Sequence, residues 1–525
     1  MQRYKILWVD DEIELLKPYI LYLEEKNYIV ESFNNPFSLV EYIESNNDYN
    51  LILIDENMPG KSGINLISDI KKNSSSVPII MITKNEEEDL MNEAIGSEIS
   101  DYLLKLLNPN QLLISVKKVL ENSLIIQNKL KSDYVSFFNE LSDMIKNNKD
   151  HRDWYKTYLK IIDWEISLDR SDDNQILEML TKQKYEANKE FSKFIIENYS
   201  NWGSNIVDKP LLSNDLLKEK IFPNINDEKV FFILIDNFRY DQWKVLEDKL
   251  SKYFFIKEEK PFMSILPTTT EFSRNSIFSG LTPYQMHKDE FDLWSDKSNG
   301  LNNNEYYFLD NNFKRNNIDI KHSYNKIISY EDGSKFIKNI SKLDNYNFSS
   351  VVFNFIDMLS HSKTDSKVFR NLVYDEKSFR SFTSSWFDNS SFNDLMKYLS
   401  SKKNIKIFLT TDHGTIRVEK PVKIKANKDV NNNIRFKNGK NINSDESKLY
   451  MVENGEEVFL PKVNIFNKYI FATENQYLLY PTNYNYHLKN YNNTFQHGGI
   501  SMEEMIIPFI ELSPKNIWYV KFWNK

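Results

Sequence analysis

The chain has 525 residues, 41% of them hydrophobic, which is enough to bury several cores and too many for one compact domain. A formal net charge of -8 argues against a protein that coats duplex nucleic acid, because such proteins neutralise phosphates with clustered Lys and Arg. No cysteine occurs, so a disulfide framework is excluded and any tightly held metal must take His and carboxylate ligands.

The first 118 residues alternate apolar strand runs with amphipathic helical patterns, as in a parallel sheet covered on both faces. Strands are predicted at Ile6 to Val9, Ile29 to Phe33, Leu51 to Ile54, Ile79 to Thr83 and Tyr102 to Lys105, with helices such as Glu12 to Lys26 and Ser38 to Ser45 between them. The order implies a flavodoxin-like sheet. From 119 to 206 strand signals vanish. Tyr134, Phe137, Phe138, Leu141 and Ile145 share one helical face, and further helices are predicted from Trp154 to Leu168 and from Asn174 to Tyr199, with Phe191, Phe194 and Ile195 inward. This segment reads as a helical bundle. From 207 to 525 a second α/β domain is expected, with buried strands at Val230 to Ile235, Val351 to Ile356 and Ile405 to Thr410. Two stretches rich in Asn, Lys and Tyr, 285 to 350 and 417 to 494, read as insertions over its sheet. No apolar run nears the ~20 residues that cross a bilayer. Met1 leads directly into a strand pattern with no export-signal features, so a cytoplasmic location is expected.

Acidic residues gather where the first and third predicted strands end: Asp10 and Asp11, then Asp55. The carboxyl ends of adjacent parallel strands converge on one crevice. Three carboxylates there repel one another unless a hard cation such as Mg2+ sits among them. Thr83 and Lys105, at the ends of the fourth and fifth strands, add a hydroxyl and an ammonium, which suits a phosphoryl group. Taken alone, Asp10 and Asp11 are equally a pair of helix-capping acids.

Through Asp10-Asp11, Asp55-Glu56-Asn57-Met58-Pro59, Gly63, Thr83 and Tyr102-Leu103-Leu104-Lys105, residues 1 to 118 resemble two-component receiver domains. The resemblance implies that Asp55 accepts a phosphoryl group from a sensor histidine kinase. It also implies that Asp10, Asp11, Asp55 and the Asn57 carbonyl hold Mg2+, that Thr83 and Lys105 grip the phosphate, and that Tyr102 reports the switch. Where the family has proline after the lysine, this chain has Leu106.

Seven histidines occur, none of them in the receiver segment. Three lie beside acids or glycines: Asp357-Met358-Leu359-Ser360-His361, Asp412-His413-Gly414 and His497-Gly498-Gly499. Asp236, Asp357 and Asp412 each end or follow a buried β-type run, so all can face one crevice. Mixed carboxylate and imidazole ligands suit two Zn2+ ions, with Mn2+ as a substitute, and a paired site can hold both oxygens of an in-line phosphoryl displacement. Thr270, in the run Pro267-Thr268-Thr269-Thr270, falls at the start of a helical pattern where the dipole favours an alkoxide and a phosphate. On local sequence alone it reads as an N-cap. Arg239 and Arg274 are candidates to contact a substrate phosphate.

Through Asp236-Asn237-Phe238-Arg239-Tyr240-Asp241, the Pro-Thr-Thr-Thr run, Asp412-His413-Gly414 and His497-Gly498-Gly499, residues 225 to 525 look like the PglZ branch of the alkaline phosphatase superfamily. This implies one metal on Asp236, Thr270, Asp412 and His413, a second on Asp357, His361 and His497, and transient phosphorylation or nucleotidylation of Thr270. The superfamily has glycine where this chain has Asn237.

The order of receiver, helical segment and PglZ domain resembles PorX-type response regulators. The resemblance implies a zinc-dependent phosphodiesterase acting on cyclic or linear oligonucleotides, a link to type IX secretion, and dimerisation when the receiver is phosphorylated. Action on transcription would run through a protein partner such as a sigma factor. The alternative reading is a signalling adaptor whose hydrolase-like domain binds a nucleotide or protein without significant turnover.

Overall fold

A computed structural model describes residues 3–73, 77–84, 99–105, 107–169, 173–203, 208–225, 228–295, 302–359, 373–425, 433–440, 442, 449–462, 467–482 and 484–515. Leu106 and His361 lie outside the described residues. The chain forms two compact units, Met1–Val135 and Ser136–Lys525.

In the first unit, strands β1 (Lys5–Val9), β2 (Ile29–Phe33), β3 (Leu51–Asp55), β4 (Ile79–Thr83) and β5 (Asp101–Leu104) form one parallel sheet of order β2-β1-β3-β4-β5. The strands are continuous apolar runs because both faces are buried. Ile6, Trp8, Leu51 and Leu53 pack on one side with Leu112 and Val116, while Leu7, Val9, Ile52 and Ile54 pack on the other with Leu39, Ile43 and Leu66. The covering helices are α1 (Lys17–Glu25), α2 (Pro36–Ser45), α3 (Gly63–Asn73) and α4 (Pro109–Leu120). The expected helix from Glu12 starts as a 3-10 turn at Ile13–Leu16, since Pro18 sits in the first turn of α1.

Helix α5 covers Asn122–Asn147, and α6 (His151–Asp169) and α7 (Asn174–Asn198) follow in the second unit. Tyr134, Phe137, Leu141, Ile145, Phe191 and Ile195 are buried as the helical periodicity predicts. This helical segment does not stand as a compact unit of its own: α6 and α7 share the second unit with everything that follows. Their contacts to it are polar and buried. Asn188 donates to Glu503 Oε2 at 2.9 Å and accepts from Met502 N at 2.8 Å, and Tyr199 Oη accepts from Leu266 N at 2.8 Å.

The second unit is built on a six-stranded sheet of order β7-β18-β10-β6-β9-β8. Its strands are β6 (Lys229–Ile235), β7 (Phe254–Met263), β8 (His322–Ile327), β9 (Phe348–Phe353), β10 (Ile405–Thr410) and β18 (Ile506–Pro514). The run β10, β6, β9, β8 is parallel, whereas β18 is antiparallel to both its neighbours. Helices α8 (Tyr240–Leu250), α9 (Thr270–Ser279), α10 (Glu305–Arg315), α11 (Tyr330–Lys338), α12 (Glu376–Asp388) and α13 (Ser391–Ser400) accompany it. Short strands β11 (Ile416–Val418), β12 (Lys420–Lys423), β13 (Phe436–Lys440), β14 (Tyr450–Val452), β15 (Asn467–Phe471), β16 (Gln476–Leu479) and β17 (Thr494–Gln496) form three small sheets.

Two expectations are corrected. The stretch 285 to 350 is no insertion, because it supplies edge strand β8 and crossover helix α10 of the main sheet. The strand expected to run to Ile356 ends at Phe353, and residues 355–359 are helical. That short apolar run reads the same in either conformation.

Between α6, α7 and the sheet lies a buried ionic cluster. Lys184 Nζ sits 2.9 Å from Glu165 Oε1 and 3.0 Å from Glu503 Oε1, and Arg380 reaches Asp169 at 2.8 Å and Asp241 at 3.0 Å. Burial pushes the Lys184 ammonium down, but Glu165 and Glu503 more than offset this and hold it well above the usual lysine range. Removing one partner of such a group leaves an uncompensated interior charge. Lys184→Met is therefore expected to destabilise the second unit by about 3–5 kcal/mol, read as a fall in the urea midpoint, with Lys184→Met combined with Glu503→Gln recovering part of the loss. An unchanged midpoint for the single variant would contradict this account.

Candidate functional sites

The carboxyl ends of β6, β9 and β10 bring the second unit's acids together. Asp236 follows β6 and donates its backbone N–H to Phe353 O at 2.8 Å; Asp412 lies two residues beyond β10. Asp236, Asp412 and His413 each present a ligand atom, and these atoms lie within 4.8 Å of one another, all buried. Asp412 Oδ1 accepts from the backbone N–H groups of Asn237 (3.2 Å) and His413 (3.0 Å). Among the described residues Asp412 Oδ2 is buried without a hydrogen-bond partner. Burial, then the neighbouring Asp412, push the Asp236 carboxyl well above the usual range, against the pull of Arg274. A buried acid pair with an oxygen facing no donor, beside an imidazole, fits a divalent cation.

Thr270 is the first residue of α9, with Thr269 at the N-cap. Its Oγ1 donates to Asp236 Oδ1 at 3.2 Å and lies 3.2 Å from His413 Nε2. His413 Nδ1 donates to Gly414 O at 3.1 Å, which leaves Nε2 facing Asp236 and Thr270. The rings of His413 and His497 stack with centroids 4.2 Å apart. His497 Nδ1 donates to Thr268 O at 3.0 Å, and its Nε2 lies 3.5 Å from Asp357 Oδ1. Asn237 joins the two halves: its side chain donates to Asp357 Oδ1 at 3.2 Å while its backbone serves Asp412. Six of the seven expected ligand residues thus occupy one neighbourhood, and the seventh, His361, lies outside the described residues.

Several supports were not anticipated from sequence. Asn237 adopts φ 60°, a left-handed conformation that Asn tolerates and that glycine adopts freely. Gly414 packs so closely that a Cβ would stand 2.0 Å from Glu503 O. Asn354 donates to Asp236 Oδ2 at 2.9 Å. Thr268 Oγ1 accepts from Gly498 N at 3.0 Å, so the threonine run fixes the His497 loop as well as the helix start.

The two arginines expected to reach a substrate phosphate are placed otherwise. Arg239 is fully buried; its Nε and Nη2 bind Asp241, Nη2 also binds Glu376, and Nη1 donates to Thr415 O. Arg274 is 1% exposed, with Nη1 on Asp236 Oδ2 at 2.8 Å and Nε 3.2 Å from Glu305. Both are interior cations that compensate buried acids. In sequence, an arginine near an acidic motif carries no sign of which way it turns.

In the first unit, Asp10, Asp11 and Asp55 present ligand atoms within 4.8 Å of one another. Lys105 Nζ lies 2.9 Å from Asp10 Oδ2 and 2.9 Å from Asp55 Oδ1. Thr83 is buried beside them at the end of β4, and Tyr102 packs against the core on β5. The Asn57 backbone lies in the turn after β3. Gly63 is required by contact, since a Cβ there would stand 2.6 Å from Asp55 O. This cluster, too, has the donor set for a hard cation.

Burial raises the Asp55 carboxyl; Lys105 pulls it back, Asp10 and Asp11 push it up, and the balance leaves it at about 6. The folded unit therefore keeps this proton where the unfolded chain has lost it, so receiver stability falls as pH rises from about 4 to about 6. Thermal unfolding is expected to show a lower receiver transition at about pH 7 than at about pH 5, the gap narrowing when Mg2+ is added; a profile indifferent to both would contradict it. At the second site, Asn237→Gly keeps the turn, whereas Asn237→Val costs about 1–2 kcal/mol, measured as a shift in unfolding free energy between the two variants.

Comparison with known proteins gives three family matches. The PglZ alkaline phosphatase-like domain of BREX systems matches residues 216–512, the PorX response regulator linker domain 124–203, and the response regulator receiver domain 6–117. The chain is similar to the transcriptional regulatory protein ResD of Bacillus subtilis (strain 168), 34% identical over 120 residues, which are 23% of this chain and 49% of that protein. It is also similar to a CpxR homolog of Haemophilus influenzae, 31% identical over 140 residues, 26% of this chain and 60% of that protein. The match to the phosphoglycerate transport regulator PgtA of Salmonella typhimurium is 31% over 115 residues, 22% of this chain and 28% of that protein. The chain thus spans between about a quarter and three fifths of the length of these curated relatives. Among solved structures, a CheY-like receiver from Methanospirillum hungatei is similar at 27% identity and TM-score 0.22, covering 23% of this chain and 96% of that one. CheY4 of Vibrio cholerae is similar at 24% identity and TM-score 0.22, covering 23% and 100%. With the PglZ match extending over more than half of its length, behind a receiver and a linker in that order, the chain belongs to the PglZ alkaline phosphatase-like family and has the architecture of a PorX-type response regulator.

Proposed function

We propose that phosphorylation of Asp55 by a sensor histidine kinase controls phosphodiester hydrolysis by the C-terminal domain, with Thr270 as nucleophile. The observation that carries this reading is the position of Thr270 Oγ1, 3.2 Å from both Asp236 Oδ1 and His413 Nε2 at the start of α9. Asp236 accepts the hydroxyl hydrogen bond and is oriented to do so by Asn354 and Arg274. The dipole of the helix start favours the negative charge of a phosphate at the same place. Attack forms an Oγ–P bond and breaks the bond to the leaving alcohol; water then cleaves Oγ–P and restores Thr270.

One divalent cation would be held by Asp236, Thr270, Asp412 and His413, and a second by Asp357, His361 and His497. Zinc suits these N and O ligands, with manganese as substitute. The cations supply positive charge that lowers the pKa of a bound hydroxyl and offsets charge on phosphate oxygens. In the receiver, Asp10, Asp11, Asp55 and the Asn57 carbonyl would hold Mg2+, with Thr83, Lys105 and Tyr102 as phosphate grip and switch.

The substrate class we favour is cyclic or linear oligonucleotides, in a cytoplasmic regulator of type IX secretion that dimerises on phosphorylation and reaches transcription through a partner such as a sigma factor. Among the described residues no helix is long and apolar enough to cross a membrane. With zinc supplied, the full chain should hydrolyse an aryl phosphodiester. Thr270→Ala should lower kcat by about a thousandfold or more, with metal content unchanged by elemental analysis, while Thr270→Ser retains measurable turnover. Full metal loading with equal turnover in Thr270→Ala rejects the catalytic assignment. Asp55→Ala should abolish the response of turnover to beryllofluoride.

A further inference from the structure

Strand β8 ends the six-stranded sheet, pairing with β9 on one side only among the described residues. Backbone hydrogen bonds fix which peptide groups face that neighbour: Asn347 N donates to Lys321 O at 2.8 Å and Asn354 N donates to Ile327 O at 3.1 Å. Because peptide groups alternate along a strand, the N–H and C=O of His322, Tyr324 and Lys326 point the other way, out of the sheet.

That outer edge lines a cavity of about 730 Å³. Its walls come from both layers of the domain. Helix α10 lies on the face where Phe348 and Phe232 pack with Phe308 and Phe313, and it contributes Tyr306, stacked on His322 with centroids 5.3 Å apart. Helix α11 packs with α13, whose Phe392 meets Phe353 on the opposite face, and it contributes Lys335 and Phe336. Lys342 follows on the same side. A groove floored by a strand edge and walled by helices of both layers offers the peptide groups with which one further strand would pair.

Open edges are normally shortened, charged or covered, since they invite pairing. Here Tyr306, in the cavity wall, is 41% exposed, and Ile328 and Tyr330, which follow β8 in sequence, are 49% and 83% exposed. Its charge is positive on balance. Asp332 caps the first turn of α11 through Ser329, and Lys326 is engaged with Glu305 and Asn302 O. Among the charged side chains that line the cavity, Lys326, Lys335 and Lys342 outnumber Asp332, whose carboxyl Lys335 helps to draw down, so the groove is net cationic in a chain whose net charge is -8.

We infer that the β8 edge groove binds an extended acidic peptide by strand addition, with its carboxylates on the Lys335 and Lys342 wall and its apolar or aromatic side chains on the Tyr306 and His322 wall. The alternation of a strand sends successive side chains to opposite walls. A peptide fits better than a nucleic acid strand because the outward carbonyls of His322, Tyr324 and Lys326 require donors, which a phosphodiester backbone lacks.

The test is fluorescence polarisation of the full chain with a short labelled peptide that alternates glutamate with tyrosine and valine. Saturable one-to-one binding that weakens with added salt is expected, and Lys335→Glu combined with Lys342→Glu should weaken it by about tenfold or more. N-methylation of the peptide at one set of alternate residues should abolish binding, and at the other set should leave it intact, because only one set donates to the β8 edge. This arm holds even where the charge-reversed protein fails to fold. Absence of saturable binding, equal sensitivity to both N-methyl patterns, or indifference to both with displacement by an oligodeoxynucleotide would overturn the inference.

Discussion

Crowded carboxylates at the carboxyl ends of parallel strands are the constraint around which both units are arranged. In each, acids meet closely enough that their repulsion and desolvation would expel them from the interior unless cations and directed N–H groups compensate. Lys105 does part of this between Asp10 and Asp55, and Arg274 does part of it at Asp236. The remainder is what a bound divalent ion supplies in sites of this chemistry. Strand order puts the acids together: β1 and β3 are neighbours in one sheet, β6 and β10 in the other.

The loops are shaped by the same need. Backbone segments approach closely around both sites, so Gly63 stands against the Asp55 main-chain carbonyl and Gly414 against that of Glu503, where no side chain fits. Imidazoles are oriented by their second nitrogen: the Nδ1 atoms of His413 and His497 are each tied to a carbonyl, which fixes the tautomer and leaves Nε2 for the site. Thr268 and Asn237 act as splints between segments far apart in sequence.

Much of this was legible before any coordinates. The five receiver strands and the strands ending before Asp236 and Asp412 are short apolar runs, and it is their alternation with amphipathic helical stretches that marks them as strands. What sequence left open depends on partners distant in the chain. Arg239 and Arg274 look like phosphate ligands until Asp241, Glu376, Asp236 and Glu305 are seen to hold them. The edge strand His322–Ile327 gives no strand signal in sequence because its residues are largely polar and half-buried, as suits an edge rather than a core. The helical bundle looked independent because α6 and α7 have good apolar stripes; their buried Glu165, Lys184 and Asn188 are the marks of a second interface.

That second interface bears on how such proteins can be recombined. The PglZ match begins at residue 216, yet Glu503 and Arg380 find their counter-charges partly on Lys184, Glu165 and Asp169, upstream of it. A hydrolase cut free at that boundary would carry interior charges with lost companions, next to the segment that holds His497. Grafting a different sensor onto this output would therefore require that the two helices travel with the hydrolase, as its own structural collar.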